Sequence, residues 1–165
     1  MEDEKMRQRK LTPHQARPKA EHYCAYQERS QQEVRDKLYG WGLFGEDVEN
    51  IIAELISNDF LNEERFAKAY ALGKFRMKGW GKIKIKQHLK AKSVSDPLIR
   101  LALRAIEPAE YAKKLSDTIK KRMRTDETPA TGLSLPEKAK LIRFLQAKGF
   151  ENDLIFEELR MESEN

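Results

Sequence analysis

Residues Ile85–Leu103 read IKQHLKAKSVSDPLIRLAL, and the placing of apolar residues in this stretch decides the fold. Ile85 and Leu89 lie one helical turn apart, as do Ile99 and Leu103, with helix-ending and helix-starting chemistry between them at Ser93-Val94-Ser95-Asp96-Pro97. Two short amphipathic helices joined by a tight turn are expected. The arrangement recurs on either side. Counted from Leu38, Leu89 and Leu145, apolar residues occupy offsets −4, 0, +5, +10 and +14 three times over: Val34, Leu38, Leu43, Val48, Ile52; Ile85, Leu89, Val94, Ile99, Leu103; Leu141, Leu145, Phe150, Ile155, Leu159. The equivalent leucines are 51 and 56 residues apart. Offset +4 holds Gly42, Ser93 and Gly149, which suit a helix end, and offset +7 holds Gly45, Asp96 and Asn152, all good N-caps. Pro97 then falls at the first helical position, where its missing N–H does no harm.

A longer helix with an aromatic precedes each pair: Tyr23 and Tyr26, then Phe66 and Tyr70, then Tyr111 with Leu115. Ser30 and Glu33 have the spacing of a capping box, and Asn62 is placed to cap the long helix that follows. No segment alternates as a strand would. The expected fold is all-α: three tandem three-helix repeats, over residues 19–58, 59–107 and 108–165, strung into an elongated, curved molecule. Residues 1–18, with mixed charges and two prolines, read as a disordered or loosely attached basic tail, and residues 125–135 as a loop inserted in the third repeat.

Composition narrows the function. The 165 residues carry one cysteine, Cys24, and three histidines, His14, His22 and His88, which excludes an internal disulfide and leaves no zinc-type cluster. No phosphate loop, nucleophile elbow or HExxH pair is present. Gly79-Trp80-Gly81 reads as a turn between helices, with Trp80 a wedge between units or a stacking platform. Glu63 and Glu64 read as first-turn acids that complement the helix dipole. A cytoplasmic, non-enzymatic binding protein without a cofactor is expected, since no run of 18 apolar residues exists and the first residues are charged.

Charge says what is bound. Arg65–Ser95 holds ten Lys or Arg and no acid in a chain of net charge +5. Lys82, Lys86 and Lys90 recur at four-residue steps, and Lys74, Arg76 and Lys78 precede them. With aromatics interleaved, this is the composition of a polyanion-binding surface. A second basic cluster comprises Lys113, Lys114, Lys120, Lys121, Arg122 and Arg124. By contrast Gly45–Glu64 has seven acids, and the last fifteen residues are acidic, so the ends suit a basic protein surface.

In order, SQQEVRDKL…DVENIIAELISNDFLNEERFAKAY, then GWGKIKIKQHLKAKSV, then KLIRFLQAKGFENDLIFEEL resemble the bacterial RecX family of recombination regulators over about residues 19–162. The resemblance implies binding to the RecA recombinase filament on single-stranded DNA, lodging in its helical groove, and restraint of strand exchange and coupled ATP hydrolysis. It also implies direct DNA binding for some members; single-stranded and double-stranded DNA are the expected nucleic-acid partners, and a monomer the expected state. Ser93 departs from a frequent family glycine, and Gly40-Trp41-Gly42 stands where basic residues are frequent. A helical nucleic-acid-binding regulator without a recombinase partner is the alternative reading, and a protein-only adaptor the third.

Overall fold

A computed structural model of the chain describes residues 10–125 and 132–164. Among them are nine helices and no strand. The first unit comprises α1 (Pro13–Tyr26), α2 (Gln31–Gly40) and α3 (Glu46–Ser57). The second comprises α4 (Glu63–Lys78), α5 (Lys82–Ala91) and α6 (Asp96–Arg104), and the third α7 (Pro108–Thr125), α8 (Leu135–Lys148) and α9 (Asn152–Glu164). Of the fifteen repeat positions, only Leu103 stays partly exposed; Ala102 takes its place in the core. Residues 1–9 and 126–131, which include half of the expected tail and most of the inserted loop, lie outside the described residues.

The expectation of a tail through residue 18 is corrected. Helix α1 starts at Pro13, behind a complete capping box between Thr12 and Gln15. It runs through Pro18, whose ring removes one helical hydrogen bond, a defect that costs about 3 kcal/mol in an ordinary helix interior. Burial of Ala16, Ala20 and Cys24 against the first unit offsets that cost. Burial also pushes the Cys24 thiol up to about 11, so it stays protonated at neutral pH. Iodoacetamide should therefore leave Cys24 unmodified in the native protein and alkylate it stoichiometrically in denaturant; rapid native labelling would contradict this packing.

Three smaller expectations shift as well. Ser30 accepts from the Glu33 amide at 3.0 Å, but the Glu33 carboxylate does not return to the cap; it takes the Lys92 ammonium at 2.9 Å. Ser95 rather than Asp96 occupies the N-cap position of α6, without a side-chain capping bond, and Asn152 is already the first residue of α9. Phe60 and Leu61 pack with the first unit, so the division from the second falls after Leu61 rather than between residues 58 and 59.

The turns follow the repeat. Gly42, Ser93 and Gly149 all have positive φ, +89°, +63° and +98°. Glycine enters this region without steric cost, whereas a serine there is strained by about 1–2 kcal/mol. Ser93→Gly should accordingly stabilise the protein by about 0.5–1 kcal/mol, once the greater unfolded-chain entropy of glycine is subtracted. Denaturant unfolding measures it; a destabilised variant would show that the Ser93 side chain contributes more than its backbone strain costs.

The core is divided unevenly. Residues Ala16 to Leu61 form one apolar cluster, while a second runs unbroken from Phe66 to Leu159 through the second and third units. Phe75, Tyr111 and Phe150 link those two units ring to ring, at centroid separations of 5.7 and 5.5 Å. The junction of the first and second units is polar instead. It uses Glu33 with Lys92, Arg65 with Glu28 at 2.6 Å, and the Gln31 amide with Glu63.

Candidate polyanion-binding cleft

Helix α4 ends at Gly79, which takes the left-handed conformation that stops a helix, and the chain turns at once into α5. The turn is also the docking point of the third unit. The Gly81 amide donates to the Lys148 carbonyl at 2.7 Å and the Ile83 amide to the Gly149 carbonyl at 3.0 Å. Backbones approach this closely only because both contacting residues are glycines; a Cβ on Gly81 would collide with the Gly149 carbonyl and the Phe150 amide. The last turn of α4 is thereby brought against α7 and the end of α8.

A cleft of about 410 Å³ results, lined by Arg76 and Lys78 from α4, Lys114, Lys121 and Arg122 from α7, and Lys148 from α8. Phe144 and the 84% exposed Met77 provide apolar surface beside them. Several cations are held in place by the fold. Lys148 Nζ donates to the Lys78 carbonyl at 3.0 Å, Lys114 Nζ to the Arg76 carbonyl at 3.3 Å, and the Arg122 guanidinium lies 4.4 Å from the Phe144 ring centre. Two of these bonds cap the carbonyl end of α4, where cations complement the helix dipole. Carboxylates are few: Asp117 lines the cleft and bonds Lys113, and Glu110 takes Arg76 in a two-point pair at 2.9 and 3.3 Å. Burial, followed by the fields of Lys84 and Lys121, pulls the Lys148 ammonium below its ordinary range. The site repels added positive charge, and an anion relieves it.

The residues singled out in sequence thus separate. Arg76 and Lys78 join Lys114, Lys121 and Arg122, so two basic clusters well apart in sequence share one cleft. Lys86 and Lys90 lie exposed on α5, with Lys90 facing Asp96 at 3.6 Å. Lys82, expected in the same row, is half-buried 4.9 Å over Tyr111, in a groove whose other lining includes Glu151, Asp153, Glu157 and Glu158. Lys82 thus begins the row at the edge of the groove formed with Tyr111 and α9, less exposed than Lys86 and Lys90. Lys74 sits against the Tyr70 and Trp80 rings, and Trp80 packs against the core between Lys74, Lys84 and His88. Lys113 is paired with Asp117, and Arg124 donates to the Lys120 carbonyl.

Lys148 does not stand out in the sequence as a basic-cluster residue, although the repeat contains the signal. Three residues after Leu38, Leu89 and Leu145 stand Trp41, Lys92 and Lys148. Both lysines reach back to the preceding unit, Lys92 to Glu33 and Lys148 to the Lys78 carbonyl. Glu63 and Glu64 form no acid pair: Glu63 accepts from the Gln31 amide and Glu64 pairs with Lys68. Among the described residues no group of three His, Cys, Asp or Glu could hold a metal ion, and no helix is long and apolar enough to cross a membrane.

Known proteins share the three-helix domains and the fold. The chain matches the profile "RecX, first three-helix domain" over residues 16–55 and "RecX, second three-helix domain" over residues 62–103. It is 33% identical over 138 residues to the regulatory protein RecX of Acinetobacter baylyi, covering 83% of this chain and 82% of that one. Against the regulatory protein RecX of Lactococcus lactis subsp. cremoris it is 30% identical, covering 82% of this chain and 51% of the other. It spans about half the length of several such relatives. The crystal structure of RecX from Lactobacillus salivarius superposes with a TM-score of 0.81 at 23% identity, over 93% of this chain and 97% of that one, which establishes the shared fold. With two three-helix domains matched in order and a relative covered over most of its length, the chain belongs to the RecX family of regulatory proteins.

Proposed function

We propose that this protein is a modulator of the RecA recombinase filament on single-stranded DNA. It lies along the filament groove and restrains strand exchange and the coupled ATP hydrolysis by occupying that groove, without chemistry of its own. The observation that carries the reading is the convergence of six cations from α4, α7 and α8 on one cleft, around a lysine whose proton is loosened first by burial and then by its cationic neighbours. Such a site binds phosphate by releasing the counterions condensed on it, so affinity falls steeply with salt. Single-stranded and duplex DNA both present that phosphate. Lys86 and Lys90 on α5, and Lys74 beside Trp80, extend the positive surface from the cleft along the middle unit. The acids of α3 and α9 face basic surfaces of recombinase protomers.

Family membership supports the regulatory role, and the resemblance set out from the sequence supplies the partner. A RecA strand-exchange assay tests both: adding the protein should slow product formation in proportion to filament bound. Tight, salt-sensitive binding to naked DNA with strand exchange unchanged would favour the alternative, a helical DNA-binding regulator with no recombinase partner.

A further inference from the structure

The first unit carries a second concave surface, separate from the central cleft. Between α1 and the end of α2 lies a groove of about 510 Å³, bounded by Pro18, Tyr23, Tyr26 and Trp41 with the cations Lys19, Arg29 and Lys37 around it. The fold uses one of these rings and leaves another spare. The Arg29 guanidinium covers Tyr23 at 3.7 Å and donates to its carbonyl at 3.0 Å, which fixes both groups. Tyr26, one turn on, is 79% exposed, with Arg29 no nearer than 6.0 Å to its centre. Lys37 lies 5.4 Å from Tyr23 and 6.0 Å from Trp41. Among the described residues no carboxylate lines the groove. It continues past Lys19 and Lys37 into an adjoining depression of about 880 Å³, where, among the described residues, Lys10 adds a cation and Asp36 an acid.

We propose that this groove is a stacking site for an unpaired base of a single-stranded nucleic acid, with Tyr26 and Trp41 as the aromatic faces and Lys19, Arg29 and Lys37 taking the flanking phosphates. The ligand chemistry follows from complementarity. Cations already lie over the Tyr23 ring, so a cationic ligand is repelled; a flat apolar group flanked by anionic ones satisfies floor and rim together. A nucleotide has that form, and its base offers a free face only outside a duplex. The site needs no recombinase and lies on a different unit from the central cleft, so its failure leaves the proposed function standing.

The test compares two ligands on the full chain by fluorescence anisotropy: an end-labelled oligothymidylate, and an abasic deoxyribose-phosphate chain of equal length. The native protein should prefer the thymidylate. Tyr26→Ala, at a ring that supports nothing in the fold, should weaken thymidylate binding by roughly 5- to 100-fold and leave the abasic chain unaffected. Tyr26→Phe should retain the preference, and circular dichroism should show unchanged helix content in both variants. Lys78→Glu with Lys121→Glu, in the central cleft, should weaken both ligands together. Equal binding of the two ligands, no binding of either, or a Tyr26→Ala effect that is absent or the same for both, overturns the stacking site.

Discussion

Reversing two charges in the central cleft, Lys78→Glu with Lys121→Glu, should reduce binding to RecA filaments on single-stranded DNA by tenfold or more at about 0.1 M salt and relieve the restraint on strand exchange. The two side chains come from α4 and α7 and reach one cavity with four other cations. Each phosphate of the single strand left without its cation should also lower the slope of log affinity against log salt by roughly 0.7, so the pair removes about 1.4 units. A matched control separates site from net charge. Arg100 and Arg104 are exposed on α6 and line none of the cleft, so Arg100→Glu with Arg104→Glu changes the total charge equally and should leave binding near the native level. Equal losses from both pairs would mean that diffuse charge, not the cleft, attracts the filament.

Gly81→Ala should disable the same cleft without touching a charge. The new methyl group has nowhere to go, because the Gly149 carbonyl and the Phe150 amide are rigid backbone in the neighbouring unit. Overpacking of this kind costs about 1–3 kcal/mol. If the Gly81 and Ile83 amides also lose their partners across the junction, each broken bond adds about 1 kcal/mol. Relief requires the third unit to draw away, which moves Lys148 off the α4 carbonyls and spreads the cations apart. A lower melting temperature together with weaker filament binding is therefore expected. Gly40→Ala provides the control, since a Cβ there meets nothing; native stability in Gly81→Ala would show that the two glycine turns are not in fixed contact.

The repeat was legible because it is local. Helix period, turn residues and caps all act within about twenty residues, so Val34, Ile85 and Leu141 could be placed on one equivalent face without knowing how the units meet. Serine at position 93 already matched glycine at 42 and 149 in the register, and all three take the left-handed turn. Where sequence and structure part, a distant contact decides. Pro18 looks like part of a tail until Ala16 and Ala20 are seen buried beneath it. Glu33 has capping-box spacing, yet Lys92 of the next unit claims its carboxylate.

The candidate site divides in the same way. A local excess of lysine in Arg65–Ser95 marked the stretch that supplies Arg76 and Lys78 to the cleft, and composition alone marked the second basic cluster on α7. That both line one cleft depends on Gly81 meeting Gly149, 68 residues away, which no local pattern encodes. Lys82 shows the converse. Its four-residue spacing to Lys86 does not tell that Tyr111 and the acids of α9 lie beside it and leave it half-buried. Lys148 could have been found by aligning it with Lys92 in the repeat, since each precedes the left-handed turn and reaches back to the unit before it.

We propose that the chain recognises a recombinase filament through its middle cleft. Co-sedimentation tests it most directly, with the native protein added to RecA filaments assembled on single-stranded DNA and, in parallel, to the same DNA alone. The native chain should pellet with the filament to saturation, and more tightly than with bare DNA, while the Lys78→Glu, Lys121→Glu variant stays in the supernatant. A native protein that pellets no better with the filament than with bare DNA would contradict the claim.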